Sequence, residues 1–438
     1  MNKLYNTQAE ITNKIREFLK NNVPNLRKTQ LNIIPEIIFS MNFSESVVST
    51  DITKCLKNEF SHVQLESIQK RIRRFFNNKL FNPENFYNSL VFHVISSYKK
   101  KHKDNRIHIT FDHMFSHDNY VTLMFTMRVG KQGIPIWFKS FKQEYINKDV
   151  SLEKGGTIAF NESLIIEGIN HVSALFGGKF DLIFLADRWF NSEKILSTIE
   201  TLGHTYCIRL KKNIKLFIYD KKERHKIWKW LYDLPSHKYH AIVHTGIELY
   251  DSKYKTNIVI SKYLNTNDPW IIVTNRDVEH AIQNYSHRFG SIECVFKNQK
   301  SNGLYLEAIN NASEKAYNTM YTLACTVVLF LTILGADYSK NTRCYKNEKI
   351  VTHKVYKEKG KVRIMSLFKI GLTLFHRAIN STKYIRLPIR FAYLRTVFKI
   401  QKNRYNIQPY LLCLKTCINN HSLILYYHPK KIKGGCLC

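Results

Sequence analysis

From Arg106 the chain reads RIHITFD, and its apolar and polar residues alternate. Ile107, Ile109 and Phe111 fall on one face of a strand, and His108, Thr110 and Asp112 on the other. NYVTLMFTMRV and GIPIWFKSF follow, separated by the turn-like GKQG, which predicts a three-strand meander. ESLIIEGINHVSALFGG carries apolar residues at helical spacing and ends on glycines. FDLIFLAD is a short unbroken apolar run, the pattern of a strand buried on both faces, and it ends on Asp187. In SEKILSTIETLG the residues Ile195, Leu196, Ile199 and Leu202 form one stripe, Ser192 caps the start and Gly203 stops it. That assignment leaves Asp187 without a capping role. YCIRL predicts the next strand. The order is that of a mixed sheet flanked by helices, with Asp112 on the first strand and Asp187 at the end of the fourth.

The flanks follow other rhythms. Residues 1–80 show apolar positions at helical spacing. SESVVSTDITKCL and SHVQLESIQKRIRRFFNN predict two short helices, the second ending in Lys70, Arg71, Arg73 and Arg74. Such a pair suits either a helix-turn-helix entering a groove or the solvated basic face of a plain helical bundle. Residues 211–269 break the α/β rhythm with short alternating runs such as HAIVHTGIELY and TNIVISKYL, and predict a β-rich insertion. His237, His240 and His244 lie there without a carboxylate or thiol partner, which makes a metal role for them the weaker reading. PWIIVTN then returns to a buried-strand pattern, and AIQNYSHRFGSIECVFKNQKSNG is helical in parts. TMYTLACTVVLFLTILGA, residues 319–336, is near the lower length limit for a membrane span. Its threonines and charged flanks favour a buried core helix.

Charge changes the picture more than length does. The 438 residues hold 67 Lys+Arg against 34 Asp+Glu, a formal net charge of +33. An excess of that size points to a polyanion: nucleic acid first, an anionic membrane surface second. The nine cysteines include no C-x-x-C pair and no zinc-type spacing, which fits unpaired thiols in a reducing cytosol. The N-terminal MNKLYNTQAEITNKI has no signal-peptide core.

Against this basic background three acids stand out: Asp112, Asp187 and Glu293. Phosphodiester chemistry is commonly carried by two divalent cations held on carboxylates, and Mg²⁺ needs few protein oxygens. Near Glu293, the stretch YSHRFGSIECVFKNQK places Tyr285, Arg288, Lys297 and Lys300 within a short span. Glu293, Lys297 and Lys300 share one helical face. That spacing also describes an ordinary solvent-facing Glu–Lys pair. Asp118 falls in a turn before the second strand, and Glu307 reads as a surface or capping residue.

These motifs together resemble the DDE transposases of bacterial insertion sequences, in the IS-four branch with its tyrosine, arginine, glutamate and lysine signature. DRWFNS resembles that branch's second-acid stretch, ITFDHM its first-acid strand, and PWIIVTN the strand before its signature helix; the likeness runs over roughly residues 30–400, including RIMSLFKIGL. The resemblance implies an α/β, ribonuclease-H-like mixed sheet flanked by helices. A β-rich insertion would precede the last catalytic helix, and an N-terminal helical domain would bind DNA. The corresponding divisions are residues 1–95, a catalytic domain over 96–210 and 270–345, the insertion at 211–269, and a C-terminal helical region at 346–438.

It also implies site roles. Asp112, Asp187 and Glu293 would ligate two Mg²⁺, with Mn²⁺ able to replace them. Tyr285, Arg288 and Lys300 would hold the DNA end by its phosphates, Lys297 would add a cation, and Arg188 would support the site or bind phosphate. Lys70, Arg71, Arg73 and Arg74 would contact DNA. The activity implied is binding of terminal inverted repeats, in-line hydrolysis at the element's ends and attack of the freed 3′-OH on target DNA. Pairing two ends implies at least a dimer on DNA, in the bacterial cytoplasm at the nucleoid and not in a membrane. The runner-up is an inactive, transposase-derived DNA-binding protein. One departure stands out. The branch has three residues between its arginine and glutamate, whereas FGSI makes four here. In a continuous helix the extra residue turns the face by roughly 100°. A helix starting at Gly290–Ser291, with Ser291 as cap, would leave Arg288 in the approach and free to turn inward.

Overall fold

The computed structural model describes residues 2–57, 62–96, 106–116, 120–129, 132–146, 157–178, 180–220, 225–231, 234, 236, 240–261, 268–301, 303–309, 312–340, 350, 353–356, 360–363, 365–380 and 422–426. The meander forms as the alternation predicts: β1 (Arg106–Phe115), β2 (Tyr120–Val129) and β3 (Gln132–Lys142) are antiparallel neighbours. Helix α6 (Thr157–Phe176) then returns the chain to β4 (Asp181–Ala186), which lies parallel to β1. Helix α7 (Glu193–Thr201) leads to β5 (Thr205–Arg209), parallel to β4. Asp118, His237 and Cys344 lie outside the described residues, as do the four cysteines from Cys413 onward. The other four cysteines form no disulfide among the described residues.

The predicted insertion is β-rich, but it does not stand apart. Its strands β6 (Lys215–Asp220), β7 (His225–Trp230), β8 (His240–Leu249) and β9 (Tyr254–Ser261) continue the central sheet through β10 (Trp270–Thr274). The path is β3-β2-β1-β4-β5-β10-β9-β8-β6-β7, and β13 (Ser422–Tyr426) pairs with β8 off it. The physical reason is that β10 has a free edge beyond β5, and β9 fills it with an antiparallel ladder from Trp270–Ser261 to Thr274–Asn257.

Both faces of the central strands are buried. Leu182, Phe184 and Ala186 of β4 join the large core cluster. Ile183 and Leu185 join a smaller one with Cys207, Ile272, Ala281, Ile282 and Tyr285. This is why FDLIFLAD lacks alternation.

Among the described residues before the sheet, five helices are formed: α1 (Asn2–Asn22), α2 (Lys28–Ser44), α3 (Ser49–Lys57), α4 (Leu65–Phe76) and α5 (Pro83–Ser96). Their apolar residues belong to the same large cluster as the sheet. Direct bonds reinforce that continuity: the Tyr87 hydroxyl donates to the Pro135 carbonyl at 2.9 Å, and Val47 N donates to Leu304 O at 3.0 Å. On α4, Ile68, Ile72, Phe75 and Phe76 point inward, while Lys70, Arg71, Arg73 and Arg74 are exposed.

Helix α10 (Glu314–Lys340) contains the long apolar run. It is long and apolar enough to cross a membrane, yet that window is wholly buried within the fold. Beyond it, the region expected to be helical also holds a two-strand hairpin, His353–Tyr356 with Gly360–Arg363, before α11 (Leu367–Asn380). Helix α11 crosses α10 at two glycines. A Cβ on Gly335 would lie 1.8 Å from Leu367 O, and one on Gly371 would lie 1.9 Å from Leu331 O. Only glycine permits backbones this close. Gly371→Ala is expected to cost about 1–3 kcal/mol through overpacking. That loss is read as a lower urea midpoint at unchanged slope, and a midpoint equal to wild type would contradict the crossing.

Candidate active site

The parallel register of β1 and β4 brings the first two acids together. Its last registered pair is Thr110 with Leu185. Two residues further on, Asp112 and Asp187 stand across from one another, on the sheet face that His108 and Thr110 share. The alternation read from RIHITFD therefore places Asp112 on the face away from Phe111, which stacks on Phe125 in the core.

Asp187 does keep a capping bond, contrary to expectation. Its Oδ1 accepts from Arg188 N at 2.7 Å and starts a single 3₁₀ turn, Arg188–Phe190. Ser192 caps α7 as predicted, accepting from Ile195 N at 3.3 Å. Two caps are present because the chain makes a short turn before the helix. Phe190 pins that turn by packing on Phe111 and on the ring of His113. Asp187 Oδ2 remains available to the site.

The third acid comes from the other side. Helix α8 (Ala281–Ser286) ends, the chain turns through residues 287–291, and α9 (Ile292–Lys300) begins with Glu293 in its first turn. The extra residue between Arg288 and Glu293 is thus absorbed in a turn, as the sequence suggests. Ser291 occupies the N-cap position, but its side chain makes no capping bond. Its hydroxyl lies 3.2 Å from the Thr126 hydroxyl instead. Arg128 Nη1 donates to His287 O at 2.6 Å, and Gly133 packs so closely that a Cβ there would meet Ser291 O at 2.8 Å. Strands β2 and β3 thereby clamp the turn from below. Sequence reasoning missed Arg128, Thr126 and Gly133; the lone glycine in a strand pattern was the one available signal of close backbone approach.

The three acids meet on one guanidinium. Arg288 Nη2 donates to Asp112 Oδ2 at 2.7 Å and lies 3.7 Å from Asp187 Oδ2, while Nη1 lies 3.5 Å from Glu293 Oε1. The Arg288 side chain is only 8% exposed, whereas that of Glu293 is 45% exposed. Burial raises the Asp112 carboxyl against the pull of Arg288 and of the His113 N–H, and burial likewise raises Glu293. The structure thus brings Arg288 into the acid cluster, where the sequence had assigned it to DNA phosphate.

The remaining assigned residues separate. Tyr285 is fully buried against Trp270 and Phe289, and its hydroxyl has no hydrogen-bond partner among the described residues. Burial pushes that phenol up to about 12. Packed this way it is a core residue, not a group open to a phosphate. Lys297 is exposed on α9, and Lys300 pairs with Glu307 at 3.0 Å. Arg188 lies 4.0 Å from Asp187 and 3.9 Å from Asp268. Asp268, which sequence reasoning passed over, also gathers Arg209 and Lys212, and the Lys212 hydrogen bond holds its carboxyl below the usual range. Trp189 projects beside this group at 77% exposure, with Lys211 Nζ 4.5 Å above its ring. Of the basic residues on α4, Arg71 pairs with Glu36 at 3.5 Å, and the helix packs on α3 and α10.

Three carboxylates converging on one positive group are a hard-oxygen donor set of the kind Mg²⁺ or Mn²⁺ takes. Among the described residues no three His, Cys, Asp or Glu side chains stand close enough to hold an ion as now arranged. The donor chemistry fits a divalent cation, and the guanidinium between the carboxylates is what occupies the space. The chain matches no family model, and no curated protein matches it.

Two histidines frame the cluster in neutral form. Burial pushes His113 down to about 4 and His287 down to about 2. A base with a depressed folded pKa takes up its proton later than the unfolded chain does. Stability is therefore unaffected by it above pH 6.5, falls as pH drops from 6.5 toward the folded value while only the unfolded chain is protonated, and levels off below that value. Stability is expected to fall between pH 6.5 and 4, and His113→Phe is expected to remove part of that fall. Urea unfolding across this range measures it, and superimposable pH dependences for the two proteins would contradict the assignment.

Proposed function

We propose that the chain is a DDE transposase with a ribonuclease-H-like catalytic core. It binds the terminal inverted repeats of its element, cuts DNA at the ends and joins the 3′-OH to target DNA. The observation that carries this reading is the convergence of Asp112, Asp187 and Glu293, from two parallel strands and a helix start, on a single cation. Support also comes from the net charge of +33, which suits a polyanionic substrate. The strand order around β1, β4 and β5, with the meander on one side and helices on both faces, is consistent with that core.

Each residue then has a task. Asp112, Asp187 and Glu293 would hold two Mg²⁺, or Mn²⁺ in their place. Such ions supply charge stabilisation at the attacking and leaving oxygens of an in-line phosphoryl displacement. Arg188 and Lys297, at the exposed rim, bind and orient the DNA backbone. Arg288 lies among the acids and Lys300 is paired with Glu307, so neither is free to do so in the arrangement seen. Tyr285 supports the turn from within the core. The exposed Lys70, Arg73 and Arg74 on α4 offer a second contact for the DNA, with two copies of the chain pairing two ends in the bacterial cytoplasm.

A second reading is a DNA-binding protein of transposase descent that has lost catalysis. It is favoured by the guanidinium that fills the acid cluster. Mg²⁺-dependent nicking of DNA that contains the element's ends separates the two. Wild type is expected to nick, and Asp187→Ala to lose at least about 10²-fold, the scale of removing one charge-stabilising group. Equal nicking by both, or none by either while binding persists, would sink the catalytic reading.

The α4 contact has its own test. Arg73→Ala with Arg74→Ala is expected to weaken DNA binding and to flatten the slope of log affinity against log salt by about 1–2, or about 0.9 per lost phosphate contact. An unchanged slope would return these residues to a solvated face.

A further inference from the structure

Arg288 holds the space that a cation bound to these acids would need. Its guanidinium lies within 2.7–3.7 Å of oxygens from Asp112, Asp187 and Glu293. Mg²⁺ binds carboxylate oxygen at about 2.0–2.1 Å. An ion drawing on these oxygens and a guanidinium among them would overlap, and the two positive charges would repel.

The hold on Arg288 is also incomplete. One contact, to Asp112 at 2.7 Å, is short, and the approach of Nη1 to Glu293 at 3.5 Å is at the limit of a hydrogen bond. The Nε of Arg288 is buried and finds no acceptor among the described residues. A buried charged donor left without a partner is costly. Each of the three carboxylates meets the fork here through a single oxygen, whereas a phosphodiester set in its plane accepts through two at once.

The side chain can leave without unfolding its support. The backbone of the 287–291 turn is secured by Arg128 to His287 O, by Ser291 to Thr126 and by close packing on Gly133. Among the described residues, the Arg288 backbone makes three local turn bonds, Arg288 N to Tyr285 O and both Gly290 N and Ser291 N to Arg288 O, none of which depends on where its side chain points. Of the three acids Glu293 is the most exposed, at 45%, so the cluster opens to the surface on its side.

We propose that Arg288 is an internal counter-ion that exchanges between the acid cluster and a DNA phosphate. Through this exchange divalent-cation binding and DNA binding reinforce each other. Without DNA the guanidinium neutralises the acids and keeps cations out. A phosphate that draws Arg288 away opens the acids to a cation, and by reciprocity a cation in the acids releases Arg288 to the phosphate. This rests on the acids being the cation-binding set proposed above.

The test is Mn²⁺ binding to the full chain, followed by the spin-resonance signal of the free ion. Wild type and Arg288→Gln are compared with and without a short duplex of arbitrary sequence. Phosphate oxygens that ligate Mn²⁺ directly contribute to both proteins alike, so the difference between the two enhancements belongs to Arg288. Without DNA, Arg288→Gln is expected to bind Mn²⁺ about tenfold more tightly than wild type, within the usual range of such couplings. The enhancement by DNA is expected to shrink by the same factor. Arg288→Lys, which keeps a cation in place, is expected to stay near wild type.

A wild-type measurement covers the case in which the glutamine variant does not fold. The salt slope of DNA binding should steepen by about one phosphate contact when micromolar Mn²⁺ is present. Equal Mn²⁺ affinity in wild type and Arg288→Gln, or an unchanged salt slope, overturns the exchange. If wild type still nicks DNA in that event, the proposed function stands and only the role of Arg288 falls. Absence of both Mn²⁺ binding and nicking removes the two together.

Discussion

A single guanidinium held among three carboxylates sets the character of this protein. Three acids on separate elements repel one another and resist leaving water. Arg288, itself almost buried, lets them be brought together around one positive charge. Breaking such a cluster by removing one partner leaves uncompensated charge behind.

The rest of the architecture serves to aim these four side chains. The parallel pairing of β1 and β4 sets Asp112 opposite Asp187. The meander of β2 and β3 fixes the turn from which Arg288 and Glu293 arise. Helix α9 is tied down on its inner side, where Tyr321 donates to Gln299 and Gln299 reaches the thiol of Cys325 in the buried α10. Glu293 is left facing the rim. The long apolar helix that a composition scan would set in a membrane is here the floor on which α9 rests.

Much of this was legible in the sequence, for local reasons. Alternation in RIHITFD placed Asp112 on the face opposite Phe111, and the unbroken apolar run up to Asp187 marked a strand covered on both sides. Gly290–Ser291 marked where the helix breaks between Arg288 and Glu293. What was not legible depends on contacts between distant segments. Nothing local in YSHRFGSIE says that Arg288 turns toward acids rather than outward, since that requires knowing what lies across the sheet. The burial of Tyr285 comes from Trp270 and Phe289 closing over it. The insertion joins the central sheet through backbone ladders, and these carry no side-chain signature beyond the strands themselves. The hairpin within the C-terminal region and the glycine crossing of α10 and α11 were hidden for the same reason.

The most direct measurement of the central claim is a crystal structure of the chain grown with Mn²⁺ and a short DNA duplex, using the anomalous signal of the metal. The expected result is an anomalous peak among Asp112, Asp187 and Glu293, with the Arg288 side chain moved onto a phosphate. A map with Mn²⁺ at saturating concentration, no peak at these acids and Arg288 still between them would contradict it.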